Sequence, residues 1–324
     1  MKCDSQLGPL MLEVIESGGL ATIQDLGRSG WRRFGVPLSG PMDAFAFQAA
    51  NLLVGNSPEA AAIEIGGDEI ELQTNQDCVI AAAGAGYSLS VYTWEFQLWD
   101  SCFVRAGWKI HLKKKGSGMW AYLAVAGGFD IASILDSRST YLRGHFGGMD
   151  GRLLQSGDQL KIGMPKYSLL ELSARTLIED ARPAYGELPT VEVILGPQSD
   201  RFIGKSIETF FSSAYQVSTT SDRMGYRLEG KPLRHSQSAD LISEGMTIGS
   251  IQIPADGQPI VMMADCGTTG GYPKIASVIR ADLPLVVQCT PGKDSVRFRE
   301  TTIEAAQRKY RTMMEKMRNG IVDS

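Results

Sequence analysis

Short apolar runs separated by glycine-containing turns recur along the first half of this chain, at residues 63–65, 70–72, 78–83, 87–91, 103–105 and 120–125, after an opening run at 11–15. Each is too short for a helix and is bounded by turn residues, which is how strands read in a sequence. Similar runs return at 190–195, 246–253 and 259–264. With 36 glycines in 324 residues to serve the turns, the chain is predicted to be mainly β, built as barrel-like domains with a few short helices rather than as a doubly wound sheet.

Helices are few. Residues 41–54 place Met42, Phe45, Ala49, Leu52 and Leu53 on one face, with Ser39 or Gly40 as the cap, Pro41 in the first turn and Gly55 as the stop. Further helices are expected near 199–211 and 274–281, and the charged amphipathic stretch 304–318 reads as a helix. A chain of this length exceeds one ordinary core. The stretch 170–189, with mixed charges, Pro183 and Pro189, marks a boundary. The expected organisation is a leader at 1–10, an N-terminal domain at 11–187, a C-terminal domain at 188–303 and a helical tail at 304–324.

Several function classes can be set aside. Hydrophobic residues make up 43% and charged residues 21% of the chain, the profile of a soluble globular protein. A net charge of −4 without dense Lys/Arg blocks argues against nucleic acid as a partner, and Lys113, Lys114 and Lys115 read as a solvated hairpin tip. No run approaches the roughly 18 apolar residues of a membrane span, and the start lacks signal-peptide character, so no membrane role and a cytoplasmic address are expected. Five cysteines, at 3, 78, 102, 266 and 289, show no CxxC spacing and read as reduced thiols. His111, His145 and His235 stand apart from each other and from cysteine, so no metal site is expected. Residues 202–206 imitate the end of a phosphate-binding loop, but Ser199 stands where its first glycine is needed. No GxSxG elbow is present.

Polar residues concentrate in four glycine-rich segments, where the backbone can approach a ligand and present N–H donors. The first spans 22–28 and 35–43 and holds Asp25, Arg28, Ser39 and Asp43, with a helix N-terminus suited to an anion. Asp25 and Arg28 can equally lock a turn. The second, 137–144, carries Arg138 and Arg143 with hydroxyls between them, a pattern that suits a carboxylate or phosphate as well as a solvated loop. The third carries Asp222, Arg223 and Tyr226, followed by Glu244, residues that a salt-bridged turn can also use. The fourth is the densest: Asp265, Cys266, Thr268, Thr269, Gly270, Gly271, Tyr272 and Lys274 lie between an apolar run and an expected helix, where backbone donors can meet a developing oxyanion. Cys266 reads as a small packing residue, since no histidine stands nearby to activate it.

Together these segments resemble one family, which includes the C-type subunits of 5-oxoprolinase, KipA and the carboxyltransferase domains of urea carboxylase, and whose members often carry the label allophanate hydrolase subunit 2. The likeness runs from about residue 15 to 298 and rests on 22–28, 35–43 with 50–56, Gly196-Pro197-Gln198, 221–226 and 257–274. Asp136, where relatives tend to have glycine, departs from the pattern. The resemblance implies two cyclophilin-like β-barrel domains. It also implies a role within an ATP-dependent 5-oxoprolinase complex acting on an amide or lactam, with ATP (and Mg) bound together with a partner. The partners implied are a KipI-like B-type subunit and an A-type one of the LamB/YcsF-like kind. Two alternatives come with the family: a biotin-dependent carboxyltransferase component, the only reading in which biotin enters, and a KipA-like regulator that binds a KipI-like kinase inhibitor. The first reading is preferred because the chain shows neither a biotin carboxylase segment nor a lysine-bearing biotinyl domain. Chemically, both enzymatic options remove a proton from a weakly nucleophilic N–H and so need a base, a cation clamp and an oxyanion site. Asp265 or Glu244 is expected as the base, Lys274 with Arg223 as clamps, and Thr268 and Thr269 as oxyanion donors.

Overall fold

The computed structural model describes residues 8–323, so most of the expected leader, with Cys3, lies outside the described residues. The architecture is mainly β. The first half forms two antiparallel sheets. One runs Gln159–Lys161, Met11–Ser17, Glu69–Thr74, Lys109–Lys114, Tyr87–Val91, Trp94–Phe96; the other runs Ala21–Gln24, Ala62–Ile65, Ala121–Val125, Cys78–Gly84, Ser101–Val104.

The larger sheet alternates. Glu69–Thr74 buries Ile70, Leu72 and Thr74 and leaves Glu69, Glu71 and Gln73 half-exposed. The inward side chains meet Ile63, Ile80 and Leu123 of the second sheet in one core. That second sheet is covered on both faces: every residue of Cys78–Gly84 and Ala121–Val125 is buried. Ile80 and Ala82 point to the first sheet, whereas Val79, Ala81 and Ala83 share a core with helix Ala44–Leu53. A strand buried on both faces has no polar alternation, which is why 78–83 reads as an unbroken apolar run.

The helix starts later than its sequence suggests. Asp43, not Ser39 or Gly40, is the cap: its Oδ1 accepts the N–H groups of Phe45 and Ala46 at 3.1 and 3.0 Å. Ser39 and Gly40 both have positive φ, 55° and 88°, and lie ahead of the helix, with Pro41 outside it. Gly55, at φ 72°, ends it as expected.

The second half is a closed barrel in the order Thr190–Leu195, Lys274–Val278, Ser250–Gln252, Ile260–Met262, Gly225–Glu229, Ala214–Val217, Ser295–Glu300, shut by the parallel pairing of the first and last of these. The helix expected at 274–281 is therefore a barrel strand, Lys274–Val278, and a helix follows at Leu283–Val287. An apolar run of this length shows no period by which to tell the two apart. Residues 204–206 open helix Gly204–Ser212, which agrees with rejecting a phosphate loop there. Helix Ile303–Asn319 follows the barrel, and strand Ile321–Asp323 returns to pair with Arg175–Leu177. Cys78, Cys102, Cys266 and Cys289 are buried free thiols. Among the described residues no helix is long and apolar enough to cross a membrane.

The core under helix Ala44–Leu53 continues into the barrel: Phe45, Trp120, Tyr226, Val261 and Phe298 belong to one buried cluster. Polar contacts stitch the same seam. Trp120 Nε1 donates to Tyr226 Oη at 3.0 Å, and that hydroxyl donates to Val287 O at 2.8 Å. Gln288 Oε1 accepts the N–H groups of Met119 and Trp120, each at 2.9 Å. A Cβ at Gly66 would lie 2.5 Å from the Trp120 ring. Gly66→Ala is therefore expected to displace the ring and cost about 1–3 kcal/mol, seen as a lower thermal midpoint; an unchanged midpoint would show that the ring is not held by this contact.

Candidate functional site

At the seam one guanidinium joins two carboxylates from opposite halves. Arg223 Nε donates to Asp265 Oδ2 at 2.8 Å and Nη2 to Asp265 Oδ1 at 3.1 Å, a bidentate fork within the barrel half. Its Nη1 donates to Glu64 Oε1 on strand Ala62–Ile65, and Nη2 also reaches Gly40 O at 2.7 Å. All three side chains are 7% exposed or less. The network continues into the first half. Glu64 Oε2 accepts the Tyr122 hydroxyl at 2.8 Å and the Met42 N–H at 2.7 Å. The N–H of Asp43 donates to Tyr122 Oη at 2.7 Å, and Asp43 Oδ2 accepts Tyr185 Oη at 2.6 Å and Gln288 Nε2 at 2.9 Å.

Two buried carboxylates share one cation here. Burial pushes the Glu64 carboxyl up, and Arg223, the Met42 N–H and the Tyr122 hydroxyl offset this only in part. Burial raises Asp43 too, against the helix N–H groups, Tyr185 and Gln288. Although burial disfavours its charge, Glu64 and Asp265 hold Arg223 above the ordinary arginine value, so it stays a cation.

Arg223 and Asp265 border a cleft of about 260 Å³, walled by Trp120, Met224 and Tyr226 and reached by Arg143 and Asp222. The Arg143 side chain is 63% exposed and stands 3.6 Å from Asp222. The cleft thus offers a fixed carboxylate, an apolar wall and an exposed cation. That combination suits a small polar molecule with an N–H at one end and a negative charge at the other.

Five sequence-predicted residues meet at this cleft: Arg143, Asp222, Arg223, Tyr226 and Asp265. Tyr226 offers its ring, because its hydroxyl is engaged by Trp120 and Val287. The remaining candidates lie elsewhere. Asp25 accepts from the Ser137 and Ser139 hydroxyls at 2.6 and 2.7 Å and from the Arg138 N–H, while Arg28 donates to Ser139 O and lies 4.8 Å from the centre of the Phe146 ring. Asp25 and Arg28 thus fasten the 137–140 segment rather than each other. Arg138 Nε donates to Ile131 O at 2.9 Å. Asp43 is spent on the helix cap and on Tyr185 and Gln288.

The densest segment is divided by the fold. Its first residue, Asp265, borders the cleft, but Lys274 and Glu244 do not; they pair with each other at 3.0 Å, beside Gln198, which donates to Glu244 at 2.9 Å. Thr269 and Gly270 form a two-residue ribbon with Glu244 and Gly245, the Thr268 carbonyl accepts the Met246 N–H at 2.9 Å, and the carbonyls of Gly271 and Tyr272 accept from Leu241 and Gln252 at 2.8 and 3.2 Å. The expected grouping of Asp265, Glu244, Lys274 and Arg223 in one site is thus not what forms, because Lys274 lies on a barrel strand and not at a helix start. Cys266 is fully buried, with its thiol pushed up chiefly by desolvation, as a packing residue would be. Sequence reasoning missed Glu64, Tyr122, Tyr185 and Gln288. A signal existed for Glu64: it is a lone acid inside the wholly buried strand Ala62–Ile65.

The family model described as carboxyltransferase domain, subdomain A and B, matches residues 34–300, and the chain belongs to that family. It is 37% identical to the C-type 5-oxoprolinase subunit of Escherichia coli over 303 residues, spanning 91% of this chain and 93% of that protein. It is also 37% identical to the corresponding 5-oxoprolinase subunit of Haemophilus influenzae, over 97% of this chain and 99% of that protein. Similarity extends to a urea amidolyase of Lachancea kluyveri at 34% identity, of which the chain spans 17%. The crystal structure of the Kluyveromyces lactis urea carboxylase superposes with a TM-score of 0.90 at 28% identity, over 97% of this chain and 29% of that one.

Arg223→Met keeps the bulk and removes the cation, leaving Glu64 and Asp265 buried without it. The expected loss is about 3–5 kcal/mol at neutral pH. Glu64, already pushed up by burial, then loses its principal opposing charge. A carboxyl raised above its unfolded-state value contributes stability that is complete below the unfolded pKa and disappears as pH rises through the folded one. The deficit of the variant should therefore shrink on acidification. Urea denaturation of both proteins at neutral and mildly acidic pH checks this, and a deficit independent of pH speaks against it.

Proposed function

We propose that this chain is the C-type subunit of an ATP-dependent 5-oxoprolinase complex, in which 5-oxoproline, ATP and water give glutamate, ADP and phosphate. The observation that carries the reading is the cleft with Asp265 at its wall and the exposed Arg143 at its mouth. Similarity at 37% identity along most of the chain to two C-type 5-oxoprolinase subunits supports it.

In this reading the carboxylate of 5-oxoproline pairs with Arg143, and the lactam N–H points to Asp265. A carboxylate neutralised by its own arginine is a weak proton acceptor. Here Arg223 is shared with Glu64, so Asp265 is not its sole counter-ion, and its carboxylate oxygens accept the N–H and draw electron density toward the lactam oxygen. The apolar wall of Trp120 and Tyr226 shields the contact at buried Asp265, whereas Arg143 meets the carboxylate in the solvent-exposed part of the cleft. ATP supplies phosphoryl activation of that oxygen when bound. The cleft does not suit a triphosphate by itself: among the described residues Arg143 is its one exposed cation, and Arg223 is consumed by two carboxylates. In this reading ATP binds at a site shared with a KipI-like B-type or LamB/YcsF-like A-type subunit.

A carboxyltransferase role is the second reading, favoured by the superposition along nearly the whole chain on urea carboxylase. Assay of the chain with its A- and B-type subunits separates the two. Glutamate release from 5-oxoproline that requires ATP and all three chains is expected. Asp265→Asn should lower kcat by about 10²-fold or more, whereas Arg143→Gln should act mainly on KM. No release from the complete set, or near-normal turnover by Asp265→Asn, overturns the assignment.

A further inference from the structure

A second and larger cavity, of about 560 Å³, lies where the loop before helix Ala44–Leu53, the barrel and the C-terminal helix Ile303–Asn319 meet. Its size falls within the range of about 300–1,000 Å³ usual for small-molecule sites. Most of its wall is apolar, including Phe45, Leu283, Met313 and Met314. Two guanidiniums, Arg32 and Arg280, reach it, and among the described residues no Asp or Glu lines it. Arg32 is fixed in place, its Nη2 donating to the carbonyls of Met246 and Gly267. Arg280 has no carboxylate partner among the described residues and lies 4.8 Å from the centre of the Tyr310 ring.

Ser39 gives an independent indication. It borders the cavity and is 2% exposed, and its hydroxyl is shut off from solvent just behind the wall, with no hydrogen-bond partner among the described residues. It also holds a left-handed conformation, φ 55°, that glycine adopts at lower cost. A buried hydroxyl without a partner costs free energy unless something satisfies it, and a serine at a glycine-type position has no conformational reason to be there. The nearby helix N-terminus is not the anion site, because the Asp43 carboxylate already occupies it.

We propose that this cavity is a second ligand site, separate from the Asp265 cleft, and that it takes an amphipathic organic anion: an aliphatic or aromatic body ending in a carboxylate. The body lies against Phe45, Leu283 and the two methionines of the C-terminal helix. The carboxylate accepts from Arg280 and Arg32, and the Ser39 hydroxyl, buried behind the wall, turns about its Cα–Cβ bond to donate to it. None of this depends on the reaction catalysed at the other cleft.

Octanoate serves as the probe and octylammonium as its cationic counterpart, with the full chain labelled at its methionine methyl groups for NMR. Octanoate is expected to shift the signals of Met42, Met313 and Met314, which line the cavity, and to leave that of Met164, 91% exposed on the surface, unmoved. Octylammonium at the same concentration should shift none of them. Arg280→Gln, at an exposed position where folding is not at risk, should weaken octanoate about tenfold through loss of one charge-assisted hydrogen bond. Ser39→Gly, which also relieves the backbone, should weaken it severalfold. Absence of shifts at saturating octanoate, an equal response to octylammonium, or unchanged affinity in both variants overturns the proposal.

Discussion

The contact on which the rest depends is the Arg223 guanidinium buried between Glu64 and Asp265. Taking three charges out of water is expensive, and a buried ion cluster rarely adds net stability over an apolar packing of equal volume. What it imposes is geometry. A guanidinium with its fork on Asp265 and its remaining edge on Glu64 and Gly40 O accepts one placement of the barrel against the second sheet. An apolar seam built from Trp120, Phe45 and Val261 alone would tolerate small slips. The charged cluster does not, and the cleft at the same seam keeps its shape for that reason.

Much of the fold was legible because it is written in local pattern. The turn-bounded runs at 63–65, 70–72, 78–83 and 87–91 all fall within strands, and the stretch 304–318 falls within a helix. The errors arose where local pattern is ambiguous. The segment 274–281 carries apolar residues at no resolvable period, and its partners in the barrel, Thr190–Leu195 and Ser250–Gln252, decide that it is a strand. Ser39 and Gly40 look like a cap because cap preference is a property of residue type, but their left-handed backbone hands the role to Asp43.

The site was legible only in pieces. Clusters of charged and small residues mark Arg143, Asp222, Arg223 and Asp265, yet the same signal marks Asp25 and Arg28, whose work is to hold one loop against another. Composition does not distinguish a carboxylate that faces a cleft from one that, like Asp25, accepts four hydrogen bonds within a loop junction. Glu64 escaped because its partner lies 159 residues away, a separation that no window along the chain can span. The fourth segment misled for a related reason: Asp265 and Lys274 are close in sequence, but the chain between them leaves Ile260–Met262 and enters Lys274–Val278, with strand Ser250–Gln252 between the two in the barrel.

The second sheet is covered on both faces, by the first sheet and by the helix whose core continues into the barrel. Neither half therefore owns a complete interior. A fragment ending before the barrel would show Trp120 and the Tyr122 network to water, and a barrel alone would carry Arg223 with half its counter-charge missing. Changes to one half are thus tolerated only as far as the other can follow, so the two must be inherited, fused and engineered as a unit.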